Sequence, residues 1–158
     1  MDGLIFMLTL AAVLGSGIVA GIFYAFSSFI MGALGKLPSR EGIAAMQSIN
    51  IVVINPVFFL AFFGTAALSI MLAGYALTHW DTSGAGLLFL GALLYLAGCI
   101  LVTIVFNVPL NNRLAAADPA SPESAELWQH YLVQWTRWNT VRTVAPSISL
   151  VLFVLAMV

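Results

Sequence analysis

Residues 3–35 read GLIFMLTLAAVLGSGIVAGIFYAFSSFIMGALG, a stretch without one charged side chain. An α-helix rises about 1.5 Å per residue and about 20 apolar residues cross the hydrocarbon core of a bilayer, so this stretch spans with length to spare. It predicts a transmembrane helix at about 4–35 that tilts or protrudes. Met1, Asp2 and Gly3 stand where a secretory signal would carry basic residues, and the apolar run is too long for such a signal. The helix is therefore expected to stay in the mature protein.

Downstream, residues 42–80 are again uncharged but too many for one straight span, and they contain Asn55-Pro56, an N-cap followed by proline at the first helical position. A second span follows at about 56–78. Residues 39–54 then form an interfacial helix, at about 40–53, with Ile43, Met46, Ile49 and Val53 on its apolar face, or continue the span through a proline kink. Periodicity leaves both open. Asp81 to Gly86 reads as a tight turn, and a third span runs from about 86 to 107, where Pro109 bends or stops it. Residues 111–130 form the one polar segment, in which Ser121-Pro122-Glu123 opens a helix leading into the fourth span, at about 136–157. The uncharged tail from Thr143 to Val158 gives only about 24 Å of helix, so the tract with Trp135, Trp138, Asn139 and Arg142 must help to cross. The fold class is all-α: residues 1–158 form a single polytopic membrane domain, a four-helix bundle with an interfacial helix between spans 1 and 2.

Composition agrees, with 62% apolar and 7% charged residues. Five Lys plus Arg against six Asp plus Glu offer no surface for a polyanion, so nucleic acid is not an expected partner. The single cysteine, Cys99, cannot form an intramolecular disulfide and reads as a small buried apolar residue. Lys36, Arg40, Arg113, Arg137 and Arg142 all lie in or beside the first and third connections. The positive-inside rule makes that side cytoplasmic, which places a multi-pass protein in the cell membrane with both termini non-cytoplasmic.

Polar groups are costly in lipid, so their placement carries the functional information. Asn50 and Asn55 enter the second span, Asn107 and Asn111 leave the third, and Asn139 and Arg142 enter the fourth, all at one depth. Singly, these asparagines read as caps or interhelical glue; together with a membrane-depth arginine they read as a site. Spans two and four begin on that side, so the positive ends of their dipoles add to Arg142 and favour an anionic oxygen. Tyr131, Trp135, Trp138 and Arg142 form one helical stripe that either stacks a flat aromatic ligand or belongs to an interfacial aromatic belt. Arg142 has the further options of snorkelling to the surface or pairing with Asp118, Glu123 or Glu126. Gly17 and Gly21 make a GxxxG pattern whose ordinary meaning is close helix packing, and Tyr24, Ser27 and Ser28 read as hydrogen-bonding glue on the same helix. His79 and His130 fall at opposite ends of the bundle, and Glu126 with His130 supplies two ligands and no third, so no metal site is expected within one subunit. No phosphate loop, dinucleotide fingerprint or CxxC pair occurs.

Four segments carry a family resemblance: Ala20-Gly-Ile-Phe-Tyr24-Ala-Phe26; Met46-Gln-Ser-Ile-Asn50 with Asn55-Pro56; Asn107-Val-Pro109-Leu-Asn111; and Trp135-Thr-Arg-Trp138-Asn139-Thr-Val-Arg142-Thr143. Together they resemble the anthrone oxygenase-like family of small membrane proteins over nearly the whole chain. The resemblance implies oxidation of an anthrone-type phenolic ketone to the quinone by molecular oxygen, with no obvious cofactor. It points to Arg142, the N-termini of spans two and four, and Asn107 or Asn139 as holders of the oxyanion, to Trp135 and Trp138 against the ring, and to Asn50, Asn55 and Asn111 as further substrate contacts. Tyr24, His130 or an asparagine-held water are the candidate bases. The partners then expected are a hydrophobic aromatic small molecule or a lipid, and the membrane itself. The alternative is a non-catalytic protein that binds a lipophilic molecule or supports a partner complex. Four spans without a charged pathway or internal repeat would need a homo-oligomer to transport.

Overall fold

The computed structural model describes residues 2–158, which form five helices: α1 (Gly3–Leu34), α2 (Ser39–Val52), α3 (Pro56–Thr78), α4 (Ala85–Ala115) and α5 (Pro122–Ala156). All except α2 are long and apolar enough to cross a bilayer. They pack up-down-up-down in a ring, α1 against α3, α3 against α4, α4 against α5 and α5 back against α1. The chain is a multi-pass all-α membrane protein. Large apolar side chains such as Leu60, 76% exposed, cover the outside of the ring, as a lipid-facing surface requires.

Local chemistry fixes the helix ends. Asp2 accepts the Ile5 N–H at 2.9 Å and starts α1. Asn55, extended at φ −139° and ψ 159°, accepts the Phe58 N–H at 3.0 Å and starts α3 with Pro56 in its first turn. The extended Asn55 also ends the ambiguity over residues 39–54: α2 is a separate helix and not a kinked extension of α3. It packs across the far end of the bundle from the two termini. There Gln47 Nε2 donates to the carbonyls of Leu114 and Ala117 at 2.8 and 3.0 Å, satisfying the last turn of α4. The turn between α3 and α4 uses Gly84 at φ 83°, where a Cβ would meet the Ala156 carbonyl oxygen at 2.8 Å.

One expected boundary moves, at the end of the third span, while the helix expected to open at Ser121-Pro122 does run into the fourth. Pro109 does not stop the third span, which continues to Ala115; the proline lies two residues past Thr103–Asn107, a wide π-helical turn that accommodates its missing N–H. The fourth span is one unbroken helix from Pro122, with Pro146 inside it. At about 1.5 Å per residue it is about 53 Å long, so its first turns project beyond the hydrocarbon core. Wide turns also occur at Phe26–Ile30 in α1 and Leu96–Leu101 in α4.

The interior is layered. Ile5, Leu72, Leu88 and Phe153 pack at the end with the termini. Val19, Phe23, Phe62 and Tyr95 fill the middle, and Ile43, Met46, Trp128 and Tyr131 the far end. Polar glue joins the spans: Tyr95 donates to the Phe62 carbonyl at 2.9 Å and Ser149 to the Gly91 carbonyl at 2.7 Å. The GxxxG reading holds for half of its pair. A Cβ on Gly17 would touch Leu150 at 3.1 Å, whereas one on Gly21 would meet nothing within 4 Å. Close packing does require a glycine at position 98, where a Cβ would overlap that of Ala145. Gly98→Val is accordingly expected to lower stability by about 1–3 kcal/mol, and Gly21→Ala to change it by less than about 0.5 kcal/mol, read as thermal midpoints in detergent.

Candidate functional site

Arg142 lies on α5 about 21 Å of helix rise before Ala156, well inside the membrane-spanning part, and is only 4% exposed. Its Nη2 donates to Asn139 Oδ1 at 2.8 Å and its Nη1 to Thr103 Oγ1 at 3.3 Å. Both partners are neutral. Among the described residues no carboxylate pairs with it, so neither Asp118, Glu123 nor Glu126 plays that part. The Nε is buried without a hydrogen bond. The guanidinium carbon lies 4.2 Å from the centre of the Phe23 ring and 5.0 Å from that of Trp135, between two aromatic faces. Snorkelling is excluded by this burial.

The supports of Arg142 are themselves pinned. Asn139 Nδ2 donates to the Phe23 carbonyl and to Ser27 Oγ, both at 2.7 Å. Both acceptors flank the start of the wide turn in α1, where the i→i+4 ladder is interrupted. Thr103 donates to the Cys99 carbonyl at 2.7 Å, which leaves its oxygen lone pair for the guanidinium. Asn107 Nδ2 donates to the Trp135 carbonyl at 3.2 Å, while its Oδ1 is buried and unpartnered. Asn111 Oδ1 accepts from Trp135 Nε1 at 2.7 Å and from the Tyr131 hydroxyl at 2.8 Å.

A cavity of about 270 Å³ opens in front of the guanidinium. Arg142, Thr103, Asn50, Asn111 and Trp135 supply its polar atoms and its indole wall. Phe23, Phe26, Phe58 and Phe62 supply much of the rest. Asn50 Nδ2 is buried without a well-formed hydrogen bond, although it lies near the Tyr131 hydroxyl. The pocket is thus apolar and aromatic with a few convergent polar groups, the usual composition of a small-molecule site. It can hold a flat ring and set an anionic or carbonyl oxygen against the guanidinium.

The sequence-derived candidates divide three ways. Arg142, Asn50, Asn111 and Trp135 meet at the cavity. Asn139 and Asn107 sit behind it as positioning residues, the first for Arg142 and the second for the α5 backbone at Trp135. Three others lie elsewhere. Asn55 caps α3. Trp138 stacks on Phe106 at 3.6 Å and belongs to a different groove, together with His130. Tyr24 is 61% exposed on the opposite side of α1. Neither Tyr24 nor His130 therefore reaches the cavity as a base. Trp135, 4% exposed, is a wall of the site and not part of a surface belt. Ser27, read as glue, makes that contact through Asn139 and also lies 3.1 Å from Thr140 Oγ1.

Sequence reading missed Thr103 and the phenylalanines. Thr103 precedes Asn107 by four residues, so their shared helix face was a usable signal. The phenylalanines carried none, because every face of these helices is apolar. Among the described residues no three His, Cys, Asp or Glu side chains group as metal ligands. Replacing Asn111 by Ala strands both the Tyr131 hydroxyl and the Trp135 indole N–H. The expected cost is about 2–4 kcal/mol, against less than about 0.5 kcal/mol for exposed Asn112→Ala, compared as thermal midpoints.

No curated protein and no solved structure matches the chain. A family model described as anthrone oxygenase matches residues 58–152, more than half of the sequence, including Asn107, Asn111, Trp135, Asn139 and Arg142. The chain belongs to the anthrone oxygenase family.

Proposed function

We propose that this protein oxidises an aromatic phenolic or hydroquinone-like small molecule with molecular oxygen, using Arg142 to hold the substrate as its oxyanion. The observation that carries this reading is the buried guanidinium without a counter-charge, facing an aromatic-walled cavity. Burying such a charge costs several kcal/mol unless an anion completes it. A ring-bound oxygen that becomes negative during reaction is such an anion.

For an anthrone-type substrate the balance is simple. The ring CH₂ gives up a proton and becomes an electron-rich enolate whose negative oxygen rests on Arg142. The enolate carbon adds dioxygen, and the resulting hydroperoxide loses water: CH₂ plus O₂ gives C=O plus H₂O. The protein's share is to lower the acidity barrier by stabilising the anion and to keep the ring oriented between Trp135 and the phenylalanines. The proton leaves toward water through a polar mouth lined by Gln47, Asn50, Asn111 and Asn112. Orientation follows from the basic residues: the α1–α2 connection and the α4–α5 region face the cytoplasm, and both termini face out of the cell. A reporter fused after Val158 is expected to be active only when it works outside the cytoplasm; a cytoplasmic signal reverses the assignment.

The same cavity supports a second reading, binding without turnover, because the described side chains lining it include no carboxylate and no imidazole to act as a base. Purified protein with an anthrone or hydroquinone panel and oxygen separates the two. Catalysis is expected above the spontaneous rate and falls about 10²-fold or more in Arg142→Met. The variant's thermal midpoint should hold or rise, since an apolar side chain of similar length replaces an unpaired buried charge. Loss of activity together with loss of folding would instead make Arg142 a structural residue.

A further inference from the structure

Two spaces adjoin the cavity, and they differ in their lining. One is the polar mouth between α2 and the end of α4. It shares Asn50, Ile54, Val108 and Asn111 with the cavity. The other lies sideways, past Ile22, Val53 and Phe58, and is a groove of about 780 Å³ between α1 and α3. Small residues make this groove: Ala11, Gly15, Ala61, Gly64 and Ala67, with Met71 toward its far end. Gly15 is small for a packing reason, since a Cβ there would overlap the Thr65 hydroxyl. Gly64 is not, because a Cβ there would meet only Leu60, at 3.8 Å, and would stand in the groove itself. From Val57 to Met71 the groove follows α3 for about 21 Å. It is open to the bilayer and almost entirely apolar, with Asn55 at the end nearest the cavity.

We infer that the substrate is an amphiphile resident in the bilayer, a phenolic or hydroquinone ring carrying one long prenyl or acyl tail. The ring occupies the Arg142 cavity, and the tail passes between Ile22 and Phe58 to lie along the α1–α3 groove. This rests on the reading of the cavity as an aromatic site and adds the tail to it. Three observations join the two spaces. The same three side chains line both, so Ile22, Val53 and Phe58 are what stands between the two spaces. The guanidinium Nε, buried and unpartnered, supplies an anchor for the polar end at only one end of the path. The space beneath α2 carries four polar side chains, Gln47, Asn50, Asn111 and Asn112, which a tail would cover without hydrogen bonds, so the α1–α3 groove is the better seat for it.

The test uses the whole protein in lipid nanodiscs with a hydroquinone whose prenyl tail ends in a photoreactive diazirine. A phosphatidylcholine with the same group at its acyl end serves as the comparison, and a tail-less methylated hydroquinone as competitor. Cross-links from the hydroquinone probe are expected on residues 11–18 of α1 and 57–71 of α3, several-fold above other lipid-facing segments. They should fall at least tenfold with excess competitor, in Arg142→Met, and in Gly64→Leu, which fills the groove. Even labelling around the bundle overturns the tail assignment, and so does the same pattern from phosphatidylcholine, which would make the groove a seat for bulk lipid. If the tail-less compound binds in an Arg142-dependent way while the tail labels evenly, the cavity reading stands and the tail does not. If it fails to bind at all, both fall.

Discussion

A guanidinium buried at membrane depth with only neutral partners is the constraint around which the polar architecture is arranged. Removing a charge from water costs several kcal/mol, and in lipid no solvent repays it. The protein offsets part of that cost with an amide oxygen, a hydroxyl oxygen and two aromatic faces. Each of these is only a partial charge, and one N–H is left over. A structural arginine would have been given a carboxylate, and six are present in the sequence. All of them lie at the ends of the bundle. The arrangement leaves the charge beside the cavity without a counter-ion, as the proposed function requires.

Holding that charge in place requires irregular backbone. Asn139 can face Arg142 with its oxygen only because its amide nitrogen is occupied by α1, and it reaches the Phe23 carbonyl where the α1 ladder widens. On α4, two wide turns in succession bracket Thr103, the second hydrogen-bond partner of the guanidinium. Such turns are uncommon and tend to occur at functional positions, since they surrender regular hydrogen bonds. Here they fall in α1 and α4, the two spans that flank α5 at the depth of Arg142. The irregularity and the charge therefore belong to one device: backbone geometry is bent to bring weak acceptors to a cation that has no strong one.

The bundle was legible in the sequence for a simple reason. Uncharged runs of span length have few alternatives in water or lipid, and Asn55-Pro56 and Ser121-Pro122 mark helix starts by local chemistry. The convergence of Asn50, Asn111, Trp135 and Arg142 was legible too, because polar residues at one depth on several spans must meet or face lipid. What the pattern could not give was direction. Tyr24 and Trp138 have the right depth and chemistry, yet the rotation of their helices turns them away. Helices apolar on every side carry no periodic signal to fix that rotation. The same lack of contrast concealed the phenylalanine wall and the α1–α3 groove. The wide turns left only Pro109 as a trace, and a proline near a span's end predicts a stop more readily than an accommodated continuation.

The two spaces beside the cavity have consequences for any reaction inside it. Oxyanion formation needs a low dielectric around Arg142, because the attraction between two opposite charges weakens in proportion as water enters. It also needs a route by which the proton reaches water. A cavity closed on all sides would meet the first need and fail the second, and one open to the aqueous side would do the reverse. Here phenylalanines and Trp135 face the guanidinium beside Asn139 and Thr103, while Asn50 and Asn111 lead to Gln47 and Asn112 beneath α2. In the proposed reaction this would favour charge separation at the ring and release of the proton a short distance away. The apolar side suits the remaining reactants of the proposed reaction, since dioxygen and a lipophilic ring both concentrate in hydrocarbon. With Arg142 at the junction of these two environments, bonded to neutral partners and to no carboxylate, the position of the charge would determine the proposed chemistry.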